Sequence, residues 1–393
     1  MSQNPVFIPG PTNIPEEIRK AVDIATLDHR SPAFARLFRP AVAGVRRVLG
    51  MDRGEVIILP STGTGGWEAA LTNTLSPGDT VLAARFGMFS QRWIDMCRRL
   101  GLNVQVIEAP WGQGAPVAAI GAALRADGAR EIRAVLATHN ETATGVRSDI
   151  AAIRAAMGGH PALLFVDGVS SIGSMPFDMA GWGVDIAIAG SQKGFMLPAG
   201  LAILGVSPRA IAAMETAQLP RSFLDFRDML RSYAAGGYPY TPAVGLIAGL
   251  ARSIEMLEDE GLEAVYARHA RLAEGVRRAV AAWGMVPCAV SPELCSDTVT
   301  AVVVPDGCNG TDLVQLAASK YGVAFGVGLG EVAGRVFRIG HLGMLTDVMM
   351  LAGLATAEMC MADLGWPVRL GSGVAAAQEF YRGAATAAAG AVA

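Results

Sequence analysis

The sequence predicts an α/β fold, with a large domain built on a mostly parallel sheet and a smaller α/β domain in the C-terminal part. Apolar strand-like runs alternate with helical segments, as in βαβ units. The composition is 52% hydrophobic and 17% charged, with 47 Gly, which suits a sheet whose central strands are buried on both faces. A chain of 393 residues is longer than one core usually supports, so two domains are expected.

The first half of the chain shows the clearest alternation. A Pro/Gly-rich arm at residues 1–15 precedes a helix expected to begin near Glu16. Further strands are predicted at 55–59, 80–84, 104–108, 134–137, 162–166, 185–189 and 201–206, and helices from Trp67, at 90–100 and at 115–126. Polar clusters at 61–66, 138–145, 167–171 and 191–193 each follow a predicted strand. Ligands collect at the carboxyl ends of parallel strands, so we expect one site there.

The second half of the chain has a different pattern of residue types. Residues 208–242 mix polar and aromatic side chains, and we expect them to cross to another surface, that of a partner subunit. Beyond them we predict helices at 246–258, 262–283, 312–321 and 347–364, strands at 298–304 and 336–341, and a kinked Gly-rich stretch at 324–330. The predicted division is an arm at 1–15, a large domain at 16–262 and a small domain at 263–393. The Ala-rich end past Arg382 has little to bury and is expected to be disordered.

Charge and hydropathy argue against several classes of protein. A net charge of −3 gives no reason to expect a nucleic acid or an acidic membrane as partner. We find no uninterrupted apolar run of about 18 residues, and the N-terminus lacks the pattern of a signal peptide. Five cysteines without a C-x-x-C pair fit a reduced compartment better than a disulfide framework. A cytoplasmic protein without a metal site is therefore expected.

The stretch from Asp185 to Gly200 contains the candidate nucleophile. An apolar run ends at Gly190, and Ser191, Gln192 and Lys193 follow. Lysine is rarely buried fully, and a desolvated amine loses its proton more easily and can form a Schiff base with a carbonyl. The alternative is a lysine at a strand end with its amine in water.

Residues 60–66, Pro-Ser-Thr-Gly-Thr-Gly-Gly, join a predicted strand to a predicted helix. Glycines, hydroxyls and the free N–H groups of a helix N-terminus together suit a phosphate. The spacing matches neither a nucleotide P-loop nor a dinucleotide fingerprint. A tight turn with an N-cap would use the same residue types, so the motif alone leaves both interpretations open.

Asp167 follows a buried strand and is costly to ionise there without a partner. A cationic pyridinium nitrogen would be a suitable partner. An N-cap or turn aspartate is the alternative when Asp167 is taken in isolation.

The Asp-Gly-Val-Ser-Ser turn at 167–171 and the Ser-Gln-Lys turn at 191–193 together resemble pyridoxal-phosphate enzymes of fold type I. The resemblance is closest to the class V aminotransferases, in particular their alanine–, serine– and aspartate–glyoxylate members. It extends from Phe-Ile-Pro-Gly-Pro-Thr at 7–12 to Phe-Arg-Ile-Gly at 337–340. It implies a large domain with a seven-stranded type of sheet between helices, and pyridoxal 5′-phosphate (PLP) as cofactor.

The resemblance also implies a role for each matching residue. Lys193 resembles the lysine that binds the cofactor and shuttles the substrate's α-proton. Asp167 resembles the carboxylate that keeps the pyridine nitrogen of the cofactor protonated. Arg338 resembles the arginine that binds the substrate α-carboxylate, and Pro9 and Gly10 the arm that closes over a small substrate.

The other matching residues would contact the cofactor. The phosphate cradle is matched by Thr62, Gly63 and Thr64, with Gln192 beside it. Phe89 matches the aromatic ring that stacks on the cofactor, and Val169 matches the residue that packs on the other face. Thr142 matches the residue that hydrogen-bonds the phenolic oxygen. Tyr238 and Thr241 match phosphate ligands from the neighbouring subunit, which implies a homodimer with shared sites.

The expected reaction transfers an amino group from L-aspartate to glyoxylate, giving glycine and oxaloacetate. This preference comes from the short 215–240 stretch, which resembles the bacterial aspartate–glyoxylate branch. Serine or alanine as donor stays open, and Arg30, Arg85 and Arg92 are unranked candidates for the aspartate β-carboxylate. The loop before Arg338 has no cysteine, which argues against cysteine desulfuration. A PLP lyase or a non-catalytic scaffold on the same fold are more distant alternatives.

Overall fold

A computed structural model describes the backbone of residues 5–390 and the side chains of residues 5–383. Its strands are β1 Val6–Phe7, β2 Glu55–Pro60, β3 Thr80–Arg85, β4 Asn103–Glu108, β5 Ile132–Thr138, β6 Asn140–Glu141, β7 Val146–Arg147, β8 Leu163–Asp167, β9 Ile186–Gly190, β10 Leu201–Val206, β11 Val286–Pro287, β12 Val299–Val303, β13 Ala324–Val327 and β14 Val336–Gly340. Its helices are α1 Glu16–Val22, α2 Pro32–Val48, α3 Gly63–Thr74, α4 Met88–Arg99, α5 Val117–Ala126, α6 Ile150–Met157, α7 Pro208–Ala213, α8 Phe226–Ala234, α9 Val244–Glu260, α10 Leu262–Ala282, α11 Gly310–Leu316, α12 Asp347–Asp363 and α13 Ser372–Gly390. The predicted alternation of strands and helices is therefore present along the described chain.

Within the described residues, seven strands form the large sheet in the order β2-β10-β9-β8-β5-β3-β4. The strands β4, β3, β5, β8 and β9 pair in parallel, and β10 runs antiparallel to both of its neighbours, β9 and β2. Since β10 alone is reversed, β2 points the same way as β5, β8 and β9. The carboxyl ends of these four strands consequently meet at one edge of the sheet, as the sequence predicts.

The small sheet has the order β1-β13-β14-β12-β11 in the described chain. Its first strand comes from the N-terminal arm, because Val6 and Phe7 pair in parallel with Ala324 and Phe325. The Phe7 ring is buried and stacks on Phe325, with 5.9 Å between ring centroids. The arm thus begins as a strand of the small sheet and continues towards the edge of the large one.

Two large hydrophobic clusters fill the molecule. One contains buried side chains between Ile18 and Val265, and the other joins Phe7 to side chains between Leu272 and Tyr381. This division parallels the predicted domain bounds at 16–262 and 263–393, which stay a prediction. No helix in the described part of the chain is long and apolar enough to span a bilayer.

The C-terminal end differs from the expectation of disorder past Arg382. Helix α13 continues to Gly390, and residues 391–393 lie outside the described part. Alanine has the highest intrinsic helix propensity, so an Ala-rich segment prolongs a helix already fixed by packing. Helix α13 packs along α10, where Tyr381 donates a hydrogen bond to the carbonyl of Leu272 at 3.0 Å.

Candidate active site

Lys193 lies in the turn that follows β9, a strand buried along its whole length. The hydroxyl of Ser191 closes this turn, donating to the carbonyl of Pro198 at 2.8 Å and accepting from the Leu201 N–H at 3.1 Å. Burial and, to a smaller extent, the charge of Arg338 lower the pKa of Lys193 against the opposing charge of Asp167, with a net value of about 8. The amine is therefore desolvated and lies within electrostatic reach of the two other predicted site residues.

The N-terminal arm covers Lys193. Its amine Nζ donates a hydrogen bond to the carbonyl of Pro9 at 2.6 Å, and the Thr12 N–H donates to the Gln192 carbonyl at 3.2 Å. Gly10 has a φ of +97°, and a Cβ there would lie 2.4 Å from Lys193 Cδ and 2.5 Å from Nζ. Both the backbone conformation and the contact therefore require glycine at this position.

Asp167 ends β8, where it pairs with Ile188 of β9, and it is 5% exposed. Its Oδ1 accepts a hydrogen bond from the Val169 N–H at 3.0 Å. The pKa of Asp167 is raised to about 7, chiefly by burial and also by the charge of Glu141. The bond from Val169, the indole of Trp67 and the charge of Lys193 lower the same pKa. A cation placed against this carboxyl group would hold it ionised.

Arg338 lies in the middle of β14 and is 7% exposed. Its Nε donates to the carbonyl of Val327 at 2.8 Å, and its Nη1 to the carbonyl of Thr142 at 3.1 Å. No carboxylate forms an ion pair with it among the described side chains. Burial lowers the pKa of Arg338 to about 10, and the charge of Glu141 raises it. Guanidinium N–H groups are thus left for a planar anion.

Helix α3 begins at Gly63, four residues earlier than predicted, so the Gly/Thr segment is its first turn. Thr62 is the N-cap, and its side chain makes no capping hydrogen bond. The N–H groups of this first turn and the hydroxyls of Thr62 and Thr64 can therefore bind an anion. A Cβ on Gly63 would lie 2.5 Å from Val169 Cγ2, so glycine lets this turn approach the end of β8.

Gln192 directly precedes Lys193 in the turn after β9. Its side-chain Oε1 is buried and has no hydrogen-bond partner among the described groups, and a Cβ on Gly190 would lie 3.0 Å from it. The indole Nε1 of Trp67, in helix α3, is also buried, and the indole lowers the pKa of the Asp167 carboxyl group. Buried polar atoms without partners are unusual, and the amide oxygen of Gln192 indicates space for a polar group near Lys193.

Phe89 and Thr142 reach the site from α4 and from the segment after β6. The half-buried Phe89 ring has the guanidinium carbon of Arg92 5.3 Å from its centroid. The Thr142 hydroxyl donates to the hydroxyl of Ser170 at 2.9 Å. Thr142 thus contacts the turn after Asp167 and, through its carbonyl, Arg338, whereas the Phe89 N–H contacts the Glu141 carboxylate.

Tyr238 packs within its own chain, and its expected contact with the cofactor phosphate of a partner subunit stays a prediction. It is 8% exposed, its hydroxyl donates to the carbonyl of Ile58, and its ring packs against those of Phe38 and Tyr233. Thr241, in contrast, is exposed and can meet a partner.

Sequence reasoning assigned no role to Glu141, Asn140 or Ser170. Glu141 is 0% exposed, and Asn140 Nδ2 donates to Ser170 Oγ at 2.8 Å and to Thr298 Oγ1 at 2.9 Å. The signal that could have found them is the density of polar residues at 138–144, directly after a buried strand. Such a segment must satisfy its polar groups internally.

Comparisons with known proteins match nearly the whole chain. The family described as Aminotransferase class-V matches residues 18–338. The chain is 66% identical over 383 residues to L-aspartate–glyoxylate aminotransferase of Paracoccus denitrificans, covering 97% of each chain. It is 51% identical over 387 residues to serine–glyoxylate aminotransferase of Methylorubrum extorquens, covering 97% of this chain and 96% of that one. The crystal structure of pyridoxamine–pyruvate aminotransferase from Mesorhizobium loti has a TM-score of 0.91 and 32% identity, with 98% of each chain covered.

Proposed function

This chain belongs to the aminotransferase class-V family, and we propose that it transfers the amino group of L-aspartate to glyoxylate, giving glycine and oxaloacetate. The family implies PLP as cofactor and the fold of the fold type I aminotransferases. The preference for aspartate is supported by the 66% identical relative, which is named for aspartate and glyoxylate. We also propose that the enzyme is a cytoplasmic homodimer with sites shared between subunits.

The residues at the sheet edge fit PLP. The first turn of α3 offers N–H groups and hydroxyls without a capping partner to its phosphate, and Asp167 offers a buried carboxyl group to its ring nitrogen. The unpartnered amide oxygen of Gln192, the residue before Lys193, is available for a further polar contact. When bound, PLP supplies an aldehyde that takes up the amino group and a ring that accepts the electron pair released at the α-carbon.

Each of the chain's own groups has one task in this proposal. Arg338 binds the α-carboxylate through guanidinium N–H groups that are not engaged with the carbonyls of Val327 and Thr142. The pKa of Lys193, lowered to about 8, gives its amine a larger neutral fraction near neutral pH than an ordinary lysine has, so its Nζ can accept the α-proton and return it. Asp167 supplies the negative charge that keeps the ring nitrogen protonated. The arm at Pro9 and Gly10 excludes water from the amine.

The observation that carries this proposal is the convergence of three groups from different elements. The charges of Arg338 and Asp167 both act on the amine of Lys193, although the three residues come from β14, β8 and the turn after β9. A nucleophile, an anionic partner for a cationic ring and a carboxylate clamp are what transamination needs.

The three arginines considered for the aspartate β-carboxylate differ in their surroundings. Arg85 donates to Glu108 at 2.6 Å and to Gln91 at 3.3 Å, which leaves it occupied. Arg92 lies over the Phe89 ring, beside the site. Arg30 is exposed, forms no ion pair with a described side chain, and lines a groove of about 690 Å³. We therefore retain Arg92, and Arg30 donated by a partner subunit, as candidates.

A half-reaction panel tests the donor. The PLP-loaded enzyme is mixed separately with aspartate, serine, alanine and glutamate, and the decay of its visible band is followed. Aspartate should give the fastest decay, with oxaloacetate as product. Serine is the second candidate, because two relatives at 50% and 51% identity are serine–glyoxylate aminotransferases. Faster decay with serine than with aspartate would make serine the proposed donor. No decay with any of the four amino acids would refute the proposed aminotransferase function.

A further inference from the structure

Glu141 is a fully buried acid that the proposed function leaves without a task. It ends the two-residue strand β6, pairs with Val146 of β7, and is 0% exposed. Ionised acids are seldom buried completely unless their oxygens are paired, so the surroundings of this carboxylate should explain its presence.

The carboxylate of Glu141 caps helix α4 from a distant part of the chain. The Phe89 N–H donates to its two oxygens at 3.2 and 3.1 Å, and the Ser90 N–H to Oε2 at 3.0 Å. The Ala143 N–H donates to Oε1 at 3.2 Å. The first N–H groups of a helix have no partner within the helix, and an anion there is favoured by the helix dipole. Glu141 therefore fixes the backbone of the turn that carries the Phe89 ring.

Gly87 makes room for this cap. It is the N-cap residue of α4, and a Cβ there would lie 2.1 Å from Glu141 Cγ and 2.2 Å from Cδ. Its φ of 178° is extended backbone that any residue adopts, so the requirement for glycine comes from the contact alone. The glutamate thus occupies the space that a side chain at position 87 would fill.

The charge of Glu141 also reaches the substrate side. It raises the pKa of Arg338 and that of Asp167, which are the clamp and the ring-nitrogen partner of the proposed function. Arg338 donates to the carbonyl of Thr142, the residue that directly follows Glu141. Burial raises the pKa of Glu141, and the N–H donors of Ser90, Phe89 and Ala143 oppose this rise by stabilising its ionised form. Arg338 forms no ion pair among the described side chains, so the ionised Glu141 supplies a negative charge one residue from the carbonyl that Arg338 contacts.

We infer that Glu141 is a positioning residue with two effects, which rest on the proposed function: it sets the Phe89 ring against the cofactor, and its charge weakens the hold of Arg338 on carboxylates. The second effect favours product release, because an anion bound beside a fixed anion leaves more readily. Neither effect requires Glu141 to touch substrate or cofactor.

Glu141→Gln tests both effects, since it keeps the shape and removes the charge. The dissociation constant of PLP should rise about tenfold, because an amide N–H₂ would face backbone N–H donors. Succinate, a non-reacting analogue of aspartate, should bind roughly two- to fivefold more tightly by calorimetry, because the opposing charge is gone. Simple structural damage would weaken both ligands, so tighter succinate binding separates the two explanations.

Two further variants divide the effects. Glu141→Asp keeps the charge but is one methylene shorter, and Gly87→Ala displaces the carboxylate without removing it. Both should alter the visible circular dichroism of bound PLP and its affinity, while succinate affinity stays within about twofold of the parent. Glu358→Gln is the matched control, because this acid is 2% exposed and accepts N–H groups from Gly371 and Gly373 in the small domain. This substitution should lower the thermal stability of the protein and leave its affinities for PLP and succinate unchanged.

Turnover of the parent with glyoxylate and either aspartate or serine is measured in the same series. This inference alone is overturned if the parent turns over and the Glu141→Gln variant has the same dissociation constants for PLP and succinate as the parent. Weaker succinate binding in Glu141→Gln, or unchanged PLP dichroism in Gly87→Ala, does the same. A parent without turnover refutes the proposed function instead.

Discussion

The carbonyl oxygen of Pro9 lies 2.6 Å from the amine of Lys193, which donates a hydrogen bond to it. The candidate nucleophile is therefore held by backbone from the start of the chain. A backbone carbonyl cannot be removed by a side-chain substitution, so the contact is best tested through the adjacent glycine.

Gly10→Ala should displace the arm from Lys193. The new Cβ would lie 2.5 Å from Nζ, and a φ of +97° disfavours a side chain there. We expect kcat/KM to fall by roughly 10²-fold, as for other small misplacements near reacting groups. Gly128→Ala is the control, because a Cβ there meets nothing within 4 Å and its φ is unrestrictive. Equal activities of the two variants would contradict the role of the arm.

Lys193→Ala should abolish the yellow colour of the enzyme and lower turnover by roughly 10³-fold or more, because no amine remains to bind the aldehyde or move the α-proton. Absorbance spectra and steady-state rates measure the two effects. The sequence has lysines at positions 20, 193 and 320 only, which makes the chemistry easy to assign. Lys320→Ala, at an exposed lysine paired with Asp363, should leave both colour and rate unchanged.

Arg338→Leu should raise the KM for aspartate and glyoxylate by roughly 10²-fold, because a buried charged contact to the α-carboxylate is lost. The visible band of PLP should persist, since the arginine is not expected to hold the cofactor. Arg335→Leu, at an exposed position of the same segment, provides the comparison. A variant at position 338 that loses its colour but keeps its substrate affinity would refute the assignment.

Asp167→Asn should change how the stability of the cofactor-free protein depends on pH. The folded-state pKa of Asp167 is raised from 3.8 to about 7, so between these values the folded state binds more protons than the unfolded state. Its contribution therefore lowers the free energy of unfolding as pH rises from about 4 to 7, by about 4 kcal/mol in all. Urea unfolding of parent and variant at several pH values gives this difference. A pH-independent difference would mean that Asp167 is not desolvated.

Mixing Lys193→Ala chains with Thr241→Ala chains tests whether sites are shared. If Thr241 serves the partner's site, each hybrid dimer has one intact site, and an equal mixture should recover up to about one quarter of parental activity. Tyr238→Phe is informative beside it, because the hydroxyl of Tyr238 bonds to Ile58 within its own chain and its loss should chiefly lower stability. Activity equal to the mean of the two separate pools would argue against sharing.

The positions of Lys193 and Asp167 could be predicted because they depend on local rules. A polar residue directly after a buried parallel strand lies at the carboxyl edge of the sheet, whatever the rest of the fold does. The start of α3 was predicted late, since Gly and Thr at 62–66 have low helix propensity while tertiary contacts to Val169 favour the turn.

Contacts between distant segments escaped prediction. Glu141 and Phe89 are 52 residues apart, and nothing in either local sequence indicates that one caps the helix of the other. The family resemblance predicts that Tyr238 contacts the partner subunit, and it gives no sign that in the single chain the Tyr238 ring packs beside Phe38 and Tyr233. Such choices depend on packing volumes that only the assembled fold defines.

The arm connects two parts of the molecule that otherwise have separate cores. Its beginning, Val6–Phe7, is a strand of the small sheet, and a few residues later the Thr12 N–H is bonded to the carbonyl of Gln192 beside the nucleophile. So short a tether has almost no slack. Any swing of the small sheet away from the large one must therefore pull the cover from the amine, which makes opening of the lobes and exposure of the lysine a single mechanical event.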